Sequence, residues 1–321
     1  MLKQDDMSKS YHIGIIGSGP AGLTAAIYIA RGGFKTTVWA GSDPGGQLKL
    51  TTEVENYPGF SSPVLGSVLI KEMTEQAKAC GAVILSEEVL DFKAEEKKFV
   101  VQTYQSNALC DALIIATGAK AQWLGLESEE KFRGYGVSSC AVCDGRFFKE
   151  RSVAVIGGGN TAVEEALYLS HQCSQVLLIH RRDQLRAEKV LQTRLFARPN
   201  VRILWSHTLE EILGEQSPYK HVTGIVVRDV ICQQTKQLDM DGVFIAIGHK
   251  PETHWMHGKV ELTSKGYIAC RSGSAKTSLS GVFAAGDVMD SVYRQAVTAA
   301  GFGCMAALDA MNFLEAQTES S

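Results

Sequence analysis

Two glycine-rich turns, Gly17-Ser18-Gly19-Pro20-Ala21-Gly22 and Gly157-Gly158-Gly159-Asn160-Thr161-Ala162, begin 140 residues apart in one local pattern. Each follows a short apolar run, Tyr11 to Ile16 or Ser152 to Ile156, and precedes residues at helical spacing, Leu23 to Ala30 or Val163 to Leu169. A second β-like run closes each unit, at Thr36 to Ala40 and at Val176 to Ile179. Strand, glycine turn, helix, strand is the βαβ unit of a parallel sheet. Its repetition predicts an α/β chain with two Rossmann-like dinucleotide-binding domains. Further strand-like runs lie at Phe99 to Thr103, Leu113 to Ala116, Gly224 to Val230 and Val243 to Ile247. Thr117-Gly118 and Ile247-Gly248 end two of them and read as chain crossings between domains. A last strand, Gly281 to Ala285, and a helix from Gln295 to Phe313 complete the pattern, with Glu315 to Ser321 read as a frayed tail.

The 35 acidic and 32 basic side chains leave a net charge of −3 with no basic run. That gives no electrostatic footprint for nucleic acid or a membrane surface. No stretch is read as a membrane span, and Met1 to Ser10 lacks the layout of a signal peptide, so a cytoplasmic protein is expected. Met1 and Met7 are both possible starts. Only Cys140 and Cys143 of the eight cysteines are closely spaced, which excludes a small disulfide framework. One such pair is also half of a zinc site, but no second pair has ligand spacing, and His254-x-x-His257 reads as a surface pair. No metal is expected. The six other cysteines read as small buried hydrophobes.

The first turn is expected to hold a pyrophosphate: Gly17 permits the tight turn, Gly19 the approach of phosphate, and Gly22 close helix packing. The alternative is a turn without a ligand. A ribose-binding carboxylate is missing about 20 residues on, where the chain has Ala40 and Gly41; Asp43 or backbone groups are the substitutes. After the second turn, at Gly157, Gly159, Asn160 and Thr161, the corresponding slot reads His180-Arg181-Arg182, with Arg186 beyond. Guanidiniums there suit the 2′-phosphate of NADPH. The alternative is surface ion pairing with Asp183 and Glu188.

Cys140-Ala141-Val142-Cys143-Asp144 lies between the two turns. Closely spaced sulfurs close a reversible disulfide, and an adjoining acid moves a proton if burial raises its pKa. Hydride from NADPH reaches a disulfide most naturally through a flavin, which assigns FAD to the first turn.

With these motifs the chain resembles the bacterial-type, low-molecular-weight thioredoxin reductases from Tyr11 to Phe313. The resemblance is carried by Gly17 to Gly22, Gly45-Gly46-Gln47-Leu48, Thr52-Glu53-Val54-Glu55-Asn56, Ala116-Thr117-Gly118-Ala119, Cys140 to Gly145, Gly157 to Ala162, His180 to Asp183, Gly286-Asp287-Val288 and Arg294-Gln295-Ala296. It implies a homodimer whose FAD domain is split, 1–121 and 249–321, around an NADPH domain at 122–248 that rotates between two arrangements. It further implies that Cys143 faces the flavin, Cys140 attacks oxidised thioredoxin and Asp144 is the general acid. Gln47 and Asn56 would lie near the flavin, Asp287 on its ribityl chain, and Arg294, Gln295 and Ala296 at its ring edge. Gly41, Gly46, Leu48, Thr117, Gly118, Ala119 and Gly286 complete the expected FAD site, with Ser18, Pro20 and Ala21 of the turn.

Two departures stand out. Val142 replaces a usual threonine, and Arg146 an aromatic, just before Phe147 and Phe148, the expected docking contacts for the protein substrate. Three rival readings stay open. A dithiol oxidase of this fold has no use for Arg181, Arg182 and Arg186. The flavoprotein subunit of an alkyl hydroperoxide reductase carries a further N-terminal dithiol domain, and only about ten residues precede the first strand here. A redox sensor would bind NADPH without consuming it.

Overall fold

The computed structural model describes residues 11–50, 53–256 and 258–319, so Met1, Met7, Thr52, His257 and Ser320-Ser321 lie outside the described residues. In chain order, β1 (His12–Ile16), α1 (Pro20–Arg31) and β2 (Lys35–Trp39) are followed by α2 (Gly66–Ala79) and β3 (Val83–Leu85). An antiparallel meander, β4 (Val89–Glu95), β5 (Lys98–Thr103) and β6 (Asn107–Cys110), precedes β7 (Ala112–Ile115) and β8 (Ala119–Ala121). Then come α3 (Glu127–Phe132), β9 (Val137–Ser138), α4 (Ala141–Asp144), β10 (Ser152–Ile156), α5 (Asn160–Leu169), β11 (Gln175–His180), α6 (Lys189–Phe196) and β12 (Val201–Trp205). A second meander, β13 (His207–Glu215), β14 (His221–Asp229) and β15 (Thr235–Asp239), leads to β16 (Gly242–Ile245) and β17 (His249–Pro251). The chain closes with β18 (Val282–Ala284) and α7 (Ala296–Glu319).

Two compact units result, one of residues up to Lys120 and from Pro251, the other Ala121–Lys250. The first has a parallel sheet in the order β18-β7-β1-β2-β3. The second has a parallel sheet in the order β12-β11-β10-β16-β9. Strand order reverses at β1 and at β10, and ligands of such sheets bind outside the carboxyl ends of the strands at that point. Both glycine turns stand there because each directly follows its central strand.

Strand alternation explains why both sheets are buried on two faces. In β1, Ile13 and Ile15 pack with α1, α2 and α7, whereas Ile16 packs on the other face with Trp39, Leu113 and residues of the first meander. In β10, Val153 and Val155 face α5, and Ala154 and Ile156 face the second meander.

Two expectations at the C-terminus change. The helix runs through Gln317 to Glu319 rather than fraying from Glu315. Its Ala296–Gln317 stretch holds an 18-residue window of mean hydropathy 1.3, long and apolar enough by composition to cross a membrane, where the sequence reading expected no such stretch. Packing within the first unit accounts for that composition. Ala306, Ala307, Ala310 and Leu314 are fully buried in its core, and a Cβ on Gly303 would stand 2.1 Å from the carbonyl oxygen of Ala21 in α1. Two helices that approach so closely need alanine and glycine between them.

Candidate active site

The first turn is shaped by contacts that only glycine allows. Gly17 has a φ of +116°, and a Cβ there would lie 2.2 Å from Ala116 O; one on Gly22 would lie 2.0 Å from Gly17 O. Gly19 is different, since nothing stands within 4 Å of its Cβ position. The helix begins with Pro20 beside Ala21, with no side-chain cap and no acid in its first turn. Its amide N–H groups and partial positive charge are thus left to a ligand. Ser18 is buried and already engaged, donating to Ala40 O and accepting from the Gly45 amide at 2.9 Å. It ties the turn to the loop through Gly41 and Gly46, both at positive φ. Asp43, the expected substitute ribose ligand, is exposed and paired with Lys49 at 2.6 Å.

Around this turn the structure groups several expected residues. Gln47 donates to the carbonyl of Ala119. Leu48 packs on the core, Thr117 donates to Glu252 O at 3.0 Å, and Gly118 sits at φ +72°. Asn56 donates to the Gln295 side chain at 3.2 Å, one step before Ala296 opens α7.

Gly286, at φ +77°, brings its own turn against Ala21: a Cβ there would lie 2.8 Å from that side chain. The next residue, Asp287, has a buried Oδ1 with no hydrogen-bond partner. Burial above all, then the neighbouring charge of Asp290, pushes its carboxyl up to about 6, against the pull of Arg294. Asp290 itself was not anticipated. Its carboxylate accepts from the amides of Val292, Tyr293 and Arg294 and holds Arg294 at φ +50°. An Asp that opens a loop and bonds its own backbone a few residues on is the available sequence signal. An uncapped helix end above an open glycine, beside a buried acceptor lacking its donor, fits a dinucleotide with a hydroxylated chain.

The second turn repeats the first with different surroundings. A Cβ on Gly157 would meet Ala246 O at 2.4 Å, and Gly159 faces open space before an uncapped α5 without first-turn acids. Gly158, absent from the expected ligands, is required for another reason: its Cβ would sit 2.2 Å from the His180 ring. His180 is buried, bonded to Gln184 O at 3.0 Å and edge-on to Trp205. Burial above all lowers its pKa, which keeps the ring neutral near pH 7, and it packs beneath the turn against Gly158. The arginines are brought to the turn by a backbone bond, Arg186 N to Gly158 O at 2.7 Å. Arg181, Arg182 and Arg186 are exposed, and none pairs with Asp183 or Glu188 among the described residues. Glu188 is instead clasped by Asn160, through its amide at 2.9 Å and its carboxylate at 3.0 Å. Thr161 follows in the first turn of α5.

Cys140 and Cys143 form a disulfide across the first turn of α4, with Cα atoms 5.3 Å apart. Cys140 caps that helix, and its sulfur accepts from the Cys143 amide at 3.2 Å. Ser138, a residue the sequence reading omitted, accepts from the Cys140 amide at 3.0 Å and donates to Asp144 Oδ2 at 2.5 Å. Burial raises the pKa of Asp144, and the Ser138 hydrogen bond pulls it back in part. Val142 is 48% and Phe147 40% exposed, with the Arg146 guanidinium 4.9 Å over the Phe147 ring. Phe148 does not share that surface. It packs edge-on to Phe244 inside the core, because β16 leaves room for it at Gly242. Of the six cysteines expected to be buried, Cys110 and Cys173 are, Cys80, Cys270 and Cys304 are half-buried, and Cys232 is exposed in the turn after β14.

The pyridine nucleotide-disulphide oxidoreductase family matches residues 11–303. The chain is 52% identical to thioredoxin reductase of Rickettsia conorii over 301 residues, 94% of this chain and 97% of that one. It is 47% identical to thioredoxin reductase of Coxiella burnetii over 323 residues, 98% of this chain and all of that one. Among solved structures, thioredoxin reductase from Giardia duodenalis superposes with a TM-score of 0.90 at 39% identity, covering 95% of this chain and 99% of that one. The enzyme from Streptococcus pyogenes superposes with a TM-score of 0.89 at 38% identity, covering 95% and 98%. With two parallel sheets, two glycine turns and a closed Cys-x-x-Cys disulfide in place, the chain belongs to the pyridine nucleotide-disulphide oxidoreductase family and, within it, to the thioredoxin reductases.

Proposed function

We propose that this protein is a thioredoxin-disulfide reductase that passes electrons from NADPH, through FAD and the Cys140–Cys143 disulfide, to oxidised thioredoxin. The observation that carries this reading is the closed disulfide on α4, next to a half-buried acid, inside the unit that also bears the arginine-flanked glycine turn. FAD would be held by the N-terminus of α1 and by Asp287, and NADPH by the N-terminus of α5 with Arg181, Arg182 and Arg186. When bound, the flavin converts the two-electron hydride chemistry of the nicotinamide into reduction of a disulfide.

The remaining chemistry lies with the protein's own groups. Once reduced, Cys140 as thiolate attacks one sulfur of the thioredoxin disulfide, forming a mixed disulfide and expelling a thioredoxin thiolate. Cys143 then attacks Cys140 Sγ, re-forming the internal disulfide and releasing the second thiolate. Two electrons and, after protonation, two protons have moved to thioredoxin. Asp144 serves as proton donor because burial keeps its carboxyl protonated to higher pH than an exposed one. Val142, Arg146 and Phe147 are the exposed side chains beside the disulfide that a protein substrate would cover. A homodimer in the cytoplasm is part of the same reading, supported by the kinship with the bacterial reductases.

The direct test is NADPH consumption by purified protein with and without oxidised thioredoxin. Turnover that depends on thioredoxin and disappears in Cys140→Ser is expected. A yellow protein that consumes no NADPH with thioredoxin would move the activity to another disulfide.

A further inference from the structure

An open cleft of about 390 Å³ in the first unit has a lining unrelated to the nucleotide turns. Three sulfur-bearing side chains reach it from three separate segments: Cys270 before the 271–274 turn, Met289 after the Gly286–Val288 turn, and Met305 on α7. Phe302 and Ile268 are among its apolar residues, Arg271, Thr263, Ser272 and Ser274 are its polar ones, and no imidazole or carboxylate lines the space. Cys270 Sγ lies 3.9 Å from Met289 Sδ and 3.7 Å from Ala275 O.

That sulfur separation has a geometric meaning. A metal–sulfur bond is about 2.3 Å long, so three sulfurs in a trigonal plane around one ion stand about 4.0 Å apart (2.3 × √3). Cys270 and Met289 are already at that spacing without a change of fold. Thiolate and thioether are soft ligands that select Cu(I), whereas zinc sites draw on cysteine, histidine and carboxylates, and magnesium or calcium need oxygen.

We propose that Cys270, Met289 and Met305 form a binding site for a soft monovalent metal ion, Cu(I), held by one thiolate and two thioethers. Binding breaks the Cys270 S–H bond and forms a sulfur–copper bond. The proton leaves to solvent, no electron is transferred, and the resulting centre is electrically neutral. Without metal, burial above all and then Asp309 push the Cys270 thiol up to about 11, so it stays protonated and unreactive. The open cleft supplies the entry path a metal needs.

The test uses the full-length, FAD-loaded protein with its Cys140–Cys143 disulfide closed, titrated anaerobically with Cu(I) in competition with the chromogenic chelator bathocuproine disulfonate. Wild type and a Cys232→Ser control are expected to hold one Cu(I) per chain, and Cys270→Ser to lose it. Met289→Leu and Met305→Leu, which keep the apolar volume, should each weaken binding by about tenfold or more. X-ray absorption of the loaded wild type should show three sulfur neighbours. If the two leucine variants match wild type in affinity, the copper is on another thiol and the site is refuted. A wild type that yields all its Cu(I) to the chelator refutes it equally. Should Cys270→Ser not fold, the leucine variants decide alone.

Discussion

The two glycine turns stand in equivalent places, at the carboxyl ends of β1 and β10, yet the charge around them is handled in opposite ways. Beside the first, Asp287 has a buried oxygen with an unmade hydrogen bond and a carboxyl pushed up to about 6. Beside the second, three guanidiniums stay exposed, and the buried group, His180, is held neutral. An unpaired buried acceptor is unfavourable whenever its partner is away, while an exposed arginine keeps its hydration with or without a ligand. That contrast suits the proposed reading of a resident flavin at the first turn and an exchanging nicotinamide at the second.

The sharpest way to break the contrast is Gly17→Val. A side chain at φ +116°, with its Cβ 2.2 Å from Ala116 O, should give protein without flavin, read as absorbance near 450 nm per chain. Normal flavin content would mean the first turn does not hold the cofactor. Next, Cys143→Ser should bring thioredoxin-dependent turnover to background while NADPH still bleaches the flavin. Loss of bleaching itself would contradict the assigned order of electron flow.

Asp287→Asn separates the units by pH. The folded value near 6 lies above the ordinary 3.8, so the folded state binds the extra proton. The penalty is absent below about pH 4, grows as pH rises through 6 and is complete above it, roughly 3 kcal/mol for a shift of about two units. In flavin-free protein the Asn variant should thus gain on wild type in urea denaturation at pH 7.5 and lose most of that gain toward pH 4. A difference that ignores pH would remove the argument. With flavin bound the order should reverse, wild type being the more stable.

Arg181→Ala combined with Arg182→Ala is expected to reduce the NADPH over NADH preference in kcat/KM by about tenfold, the worth of one charge-assisted hydrogen bond. Unchanged preference would place the 2′-phosphate elsewhere. The smallest effect belongs to Ser138→Ala. Its hydroxyl lowers the Asp144 pKa, so its loss should shift the alkaline limb of the thioredoxin-dependent rate to higher pH. A limb that stays put or moves down would separate Asp144 from the proton transfer.

The repeated strand–turn–helix–strand pattern was legible because glycine and strand residues act locally: Ser152–Ile156 and the end of α5 at Leu169 lie where periodicity placed them, while α5 itself starts three residues earlier, at Asn160. The arginine loop was legible for the same reason, since its distance from the turn is set by one helix and one strand. The packing of His180 beneath the turn was not legible, because sequence shows an ionisable ring and not the Gly158 backbone lying against it. Phe148 was misread because its neighbour Phe147 differs from it only in facing outward. The last turn of α7 was read as a tail because Glu315, Ala316 and Gln317 continue no apolar stripe.

The sequence by itself determined the two βαβ frames, the dithiol and the cation-rich second turn, all consequences of short-range geometry. Tertiary structure decided which of these groups stay exposed and which are built into the core. It set the orphaned oxygen of Asp287, the Ser138 bond to Asp144, the clasp of Asn160 on Glu188 and the one cleft lined by Cys270, Met289 and Met305. Each depends on burial or on contact between segments distant in the chain or on how a short turn folds back, and no local pattern encodes a solvent boundary.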